Sequence, residues 1–280
     1  MSVTAAPANI RREAGKLGAF LRRDLLVQMS YRTGLISDWV NLLAQVAIFA
    51  YVSKLVDPSK MPAFGGSRGS YIAFVSIGIA VSGFLQVGIG RLMTAVRSEQ
   101  LMGTLESLLV TPTRSTTLLL GSVSYDLIYV PIRTVVFLLL VAGLLGVEFD
   151  AGGLLPGLAI LATFIPVVWG IGAVTAAVVL TFKRGGGAVG IATFALTVTS
   201  GTYFPISLFP DWVETLARLN PLAIALDGMR ATMLGVAGWM QALETIAMLM
   251  PFTITSLMCG AAMFRWAMRR EQKLGSLGIY

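Results

Sequence analysis

Histidine is missing from all 280 residues, and cysteine occurs once, as Cys259. The first absence removes both the commonest general base and the commonest metal ligand. It excludes an intramembrane protease built on a Ser–His pair and a metalloprotease built on H-E-x-x-H. The single cysteine lies in an apolar run, so no disulfide framework and no cysteine-based metal centre is expected. No G-x-x-x-x-G-K-[ST] sequence occurs, and the glycine clusters at 65–66 and 185–187 lack a following Lys-Ser pair. A phosphate-cradling loop of that type is therefore excluded, and no catalytic or metal-binding residue is assigned. Charge is scarce as well, at 12% of the residues. Soluble domains carry about 25%, and this chain has too few charges to coat a core in water.

What fills the chain instead is apolar: 56% of the residues are hydrophobic, and the mean hydropathy is +0.79. Long apolar stretches joined by short charged connectors indicate an integral membrane protein. The net charge of +7 does not form a single stripe, because the basic residues cluster beside the ends of apolar segments. That distribution argues against nucleic acid as a partner.

Six spans are expected, at about 35–55, 71–93, 118–147, 154–182, 188–203 and 243–264, making up a transmembrane domain over 35–264. Residues 1–34 precede them, without the apolar core of a cleavable signal. Ile10, Leu17, Phe20, Leu21, Leu25 and Met29 recur on roughly one helical face, which predicts an amphipathic helix lying on the membrane surface; a disordered basic tail is the alternative. The third segment would reach about 45 Å against a hydrocarbon core of ~30 Å, so it either protrudes or bends at Pro131. A basic tail follows at 265–280. Fifteen Lys and Arg residues fall in one set of connectors, among them Arg97, Arg114, Lys183 and Arg269, against five in the other, with Arg133 left inside the third span. Both termini and the 98–111 connector are then expected in the cytoplasm.

Residues 204–235 are half apolar yet broken by Pro205, Pro210 and Pro221. Neither piece is long enough to cross. Short helices that dip into the outer leaflet and return are the expected form, with a soluble cap as the alternative. In the third span Asp126, Tyr129 and Arg133 share a face, with Tyr125 adjacent. They either wall a polar cavity or subunit seam, or Asp126 reaches headgroups from an overlong helix. Asp126 stands out as the one clear acid within the spans.

The connector MGTLESLLVTP has its own geometry. Leu101, Met102, Leu105, Leu108 and Leu109 form an apolar stripe, with Glu99, Gly103 and Glu106 opposite. Pro112 disfavours helix at Thr111 and ends the rod. A helix over about 98–111, lying across the cytoplasmic ends of the spans with its acids outward, is expected to be a docking surface.

E-x-x-x-G-T-L-E-x-L-L-x-T-P, from Glu99 to Pro112, resembles the cytoplasmic signature of ABC-2 type transporter permeases. A second stretch, F-P-x-x-x-x-P-x-W followed by N-P-L and D-x-x-R, is similar to the outer re-entrant segment of that family; it includes Phe204, Pro205, Pro210, Trp212, Asn220, Pro221, Asp227 and Arg230. The resemblance implies an all-α fold of six transmembrane helices with an interfacial N-terminal helix, a coupling helix and a re-entrant segment before the last span. Glu99, Met102, Gly103, Thr104, Leu105, Glu106 and Pro112 would shape the contact with a separate ATP-binding subunit. Two permease chains, identical or different, and two ATPase chains would form an exporter in a bacterial inner membrane. ATP and Mg2+ would sit on the ATPase, with no cofactor on this chain. Residues of spans one, two and five would line the path. A drug-like or lipid-like substrate is expected, with a lipid-linked polysaccharide, or an ion-driven secondary carrier, as alternatives.

Overall fold

The computed structural model describes residues 10–30, 32–52, 54, 63–64, 67–68, 71–101, 115–182, 186–235 and 237–274. In chain order these form α1 (Ile10–Ser30), α2 (Arg32–Val52), the two-residue strands β1 (Ala63–Phe64) and β2 (Ser67–Arg68), α3 (Tyr71–Leu101) and α4 (Ser115–Leu145). There follow α5 (Ala151–Phe182), α6 (Gly186–Thr199), a 3-10 turn (Ile206–Leu208), α7 (Asp211–Arg218), α8 (Pro221–Met233) and α9 (Trp239–Leu274). Among the described residues the fold is helical apart from the small β1–β2 ladder, which falls inside the turn-rich connector expected between the first two spans.

Among the described residues, four helices are long and apolar enough to cross a membrane, with spans at Tyr71–Thr94, Ile128–Leu145, Ala151–Phe182 and Trp239–Glu271. Two shorter apolar helices accompany them, Ile36–Val52 and Gly186–Thr199, at the places of the expected first and fifth spans. α4 runs on continuously through Pro131, and its span is described over Ile128–Leu145. Its first half carries α1: the Phe20 ring lies where a Cβ on Gly121 would stand, so the glycine lets the two helices approach closely. The amphipathic N-terminal segment is thus helical, and it packs on protein.

α3, α5 and α9 lie side by side and run in the same direction. Val168 faces Gly88, and Leu92 faces Gly172 four residues further along both helices. A parallel register also holds between α5 and α9, where Thr253 Oγ1 donates to the Thr163 carbonyl and, seven residues further along both helices, Gly170 packs on Gly260. With no water to expel from between helices in lipid, such contact depends on small residues that bring backbones together. A Cβ on Gly170 would collide with the Ser256 backbone.

Burial differs sharply among the spans. The apolar window of α3 is 82% buried and that of α9 only 17%. α3 is therefore the central helix, while α9 turns Leu243, Met250, Ile254 and Met258 outward. A face of that kind is unsuited to water and suited to hydrocarbon. The α4–α5 connection turns on Gly146, whose φ of 66° ends α4 with its N–H on the Ala142 carbonyl. Asp150 then caps α5 through its carboxylate and the Gly152 N–H.

Candidate functional site

Asp38, Asn41 and Gln45 stand at i, i+3 and i+7 on α2, which puts them on one face. Gln45 Nε2 donates to Asn41 Oδ1 over 2.8 Å. Ser82 and Gln86 of α3 face this strip, Arg133 reaches in from α4, and Tyr203 closes one side. Together they enclose a cavity of about 100 Å³, room for about three waters. At ~1.5 Å per residue, Asp38 lies roughly 21 Å from the end of α2 and Gln86 roughly 22 Å from the start of α3. Counted from those helix ends, both positions lie within the ~30 Å of a hydrocarbon core, past its middle towards the far boundary.

Arg133 governs the electrostatics. Its side chain is only 6% exposed, and its Nη2 lies 3.4 Å from Asp38 Oδ2. Its Nε has no hydrogen-bond partner among the described residues. A charge at that depth persists only with a counter-charge or polar groups around it. Asp38 supplies the counter-charge and the cavity the polar surroundings. Towards the end of α2 and the start of α3 an aromatic collar follows: Phe49 stacks on Tyr203 at 5.0 Å, and the Tyr71 hydroxyl donates to the Tyr203 carbonyl.

The segment from 204 to 235 is fastened by two side chains. Asn220 caps α8 by accepting from the Leu222 N–H, with Pro221 in the first helical turn. The Asn220 amide also donates to the Leu196 carbonyl over 2.7 Å, tying α8 to the last turn of α6. Arg230 is 1% exposed, and it donates through Nε to the Phe74 carbonyl and through Nη2 to the carbonyls of Gly201 and Thr202. Its guanidinium carbon stands over the Phe74 ring, 3.4 Å from the centroid. Burial lowers its pKa, opposed by the Asp227 carboxylate. Gly201, with φ at 74°, makes the turn that presents these carbonyls.

The residues singled out in the sequence divide accordingly. Arg133 lies in the polar cavity, and Tyr125 and Tyr129 stack on each other at 5.1 Å along the same helix. Asp126 is on α4, with its side chain outside the described residues. Glu99 is in the last turn of α3, whereas Met102, Gly103, Thr104, Leu105, Glu106 and Pro112 lie outside the described residues. In the 204–235 segment Asn220 and Arg230 hold helices together and Pro221 opens α8; Pro205 and Asp227 line a second cavity; Pro210 precedes α7; and Phe204 and Trp212 are exposed. Asp38 was missed. It falls within the expected first span, so Asp126 is not the only clear acid there, and an unmatched Arg133 was the signal that an acid should be sought on another span.

A helical bundle with lipid-suited outer faces and a charged, polar cavity at membrane depth defines a polytopic membrane protein. The family model described as ABC-2 type transporter matches residues 16–234, and the chain belongs to that family, as a permease component of ABC-type transport. Such permeases work with an ATP-binding cassette subunit. No curated protein sequence matches the chain.

Proposed function

We propose that the chain is the permease subunit of an ATP-driven exporter, with its translocation path along a seam between two permease chains. The observation that carries this reading is the strip of Asp38, Asn41, Gln45 and Gln86. It lies at membrane depth, and Asn41 and Gln86 are exposed on the side of the single chain. Acyl chains cannot satisfy an exposed amide, so this side suits a water-filled path or a second permease chain. The apolar surroundings and the aromatic collar favour a hydrophobic or amphipathic cargo, drug-like or lipid-like.

ATP and Mg2+ belong on two copies of the ATPase partner. Closure of that pair pushes on the segment from Glu99 to Pro112, and the permease halves rock to open the path outward. A packed bundle transmits such a push because its glycine-mediated contacts leave no slack to absorb it. Both termini face the cytoplasm of a bacterial cell in this arrangement, and the 204–235 segment lies in the outer leaflet. Glu106→Arg and Gly103→Trp test the docking role. Each should abolish co-purification with the ATPase and substrate-stimulated hydrolysis; retention of both activities removes the docking role. Asn41→Leu with Gln86→Leu should reduce export while leaving ATPase association intact.

A further inference from the structure

A second, larger cavity of about 570 Å³ lies on the other side of the turn that carries Tyr203, between α7, α8, α9 and the start of α3. Its size is that of a site for a small organic molecule. Phe74, Ile206 and Ile224 contribute apolar wall, and Met248, 60% exposed on the outward face of α9, forms one margin. The polar side holds Glu214, Arg218, Asp227, Arg230 and Gln241. These charges are not equally engaged. Arg218 is held by Glu214 in an i, i+4 pair, and Arg230 donates to three backbone carbonyls and lies on the Phe74 ring. Asp227 is 60% exposed, and its nearest cation, Arg230 Nη1, stands 3.8 Å away, too far for a hydrogen bond. Asp227 is therefore the acid of this wall without a hydrogen bond among the described residues, and it faces a space with an apolar wall.

We infer that this cavity binds an amphipathic amine, with the ammonium on Asp227, the Gln241 amide beside it, and the apolar body along Ile224 and Met248. The site is separate from the polar cavity of α2, α3 and α4 and does not depend on where the translocation path runs. A long-chain amine and the headgroup of phosphatidylethanolamine share this chemistry.

The test is equilibrium binding of radiolabelled dodecylamine to the full chain in phosphatidylglycerol nanodiscs, with empty discs as background and dodecanol as the uncharged counterpart. Saturable binding is expected for dodecylamine. Asp227→Asn should weaken it about tenfold, as for loss of one charge-assisted hydrogen bond, and Asp227→Glu should retain it. Met248→Trp should weaken it comparably by filling the apolar margin, and it carries the test by itself if Asp227→Asn does not fold. Dodecanol should not respond to Asp227→Asn. Repetition in discs containing equimolar phosphatidylethanolamine separates the sources. A drop in apparent affinity assigns the site to the lipid headgroup, an unchanged affinity assigns it to a free amphiphile, and both keep the ammonium site. Non-saturable binding, or full affinity in Met248→Trp and a folded Asp227→Asn, overturns the inference.

Discussion

Arg230 and Arg133 are both buried arginines in an apolar chain, at 1% and 6% exposure, and they solve the same electrostatic problem in opposite ways. Arg230 spreads its charge over the carbonyls of Phe74, Gly201 and Thr202 and the face of an aromatic ring. Arg133 has one carboxylate at 3.4 Å and an Nε without a partner among the described residues, beside a small polar cavity. The first is a fastener, with three of its hydrogen bonds made to backbone carbonyls. The second retains donors beside open space, as a wall that meets water or cargo must. Exposure alone would have ranked them as equals; the inventory of partners separates them.

The contrast breaks most visibly at Arg230. Arg230→Ala would leave three inward carbonyls and the Gly201 turn without their donor. The expected loss is about 3–5 kcal/mol, the range for removing one partner from a buried charged network. Thermal unfolding of the chain in lipid discs, with proteolysis of the turn around Gly201 as a local probe, measures it. Arg230→Lys should recover only part, because one ammonium cannot both reach three carbonyls and stand over Phe74.

Asn220→Ala is next. It removes the cap of α8 and frees the Leu196 carbonyl at the end of α6, for an expected loss of about 2 kcal/mol. The same unfolding measurement applies. A value near zero would mean that α6 and α8 are held together by packing and not through this amide.

The apolar runs show where these helices lie, but not how such side chains are used. The span expected at 118–147 is found as helix Ser115–Leu145, which Gly146 ends early, and the one at 243–264 lies within helix Trp239–Leu274. The second overshoots because a helix needs no apolar residues to continue past the membrane. The fifth stops early, at Thr199 instead of 203, because Gly201 turns the chain with positive φ. Asn220-Pro221 was legible as a helix start, since cap and proline chemistry is local. The roles of the arginines were not. The Phe74 carbonyl on Arg230 is 156 residues distant, and Asp38 lies on a different helix from Arg133. Periodicity identifies a face, and it carries no information about what that face meets.

A smaller effect should separate the two arginines most clearly. Asp38→Asn removes the counter-charge of Arg133, yet Asp38 is itself 34% exposed and the contact is loose. The expected cost is about 1 kcal/mol, well below that of a tightly buried pair. Arg133→Gln in the same chain should restore stability by removing the charge that was stranded. Export should respond more strongly than stability in each variant, because the cavity keeps its shape while its polarity changes. If stability and export fall in proportion, Arg133 is a fastener like Arg230 and the contrast fails.

The lower limit of the series is Arg218, 73% exposed, paired with Glu214 one turn away on α7. Its partner is local and water competes for both charges, so Arg218→Ala should cost at most about 0.5 kcal/mol. Most of that should vanish at high salt, where exposed charges are screened and buried ones are not. Running Arg218→Ala, Asp38→Asn and Arg230→Ala through one salt titration therefore ranks three arginine contacts by burial without reference to geometry. The salt-dependent fraction should be largest for Arg218 and smallest for Arg230. If Asp38→Asn behaves like Arg218→Ala, the α2–α4 cavity is open to bulk solvent. If it behaves like Arg230→Ala, the cavity is sealed in the state measured, and the path must open elsewhere in the cycle.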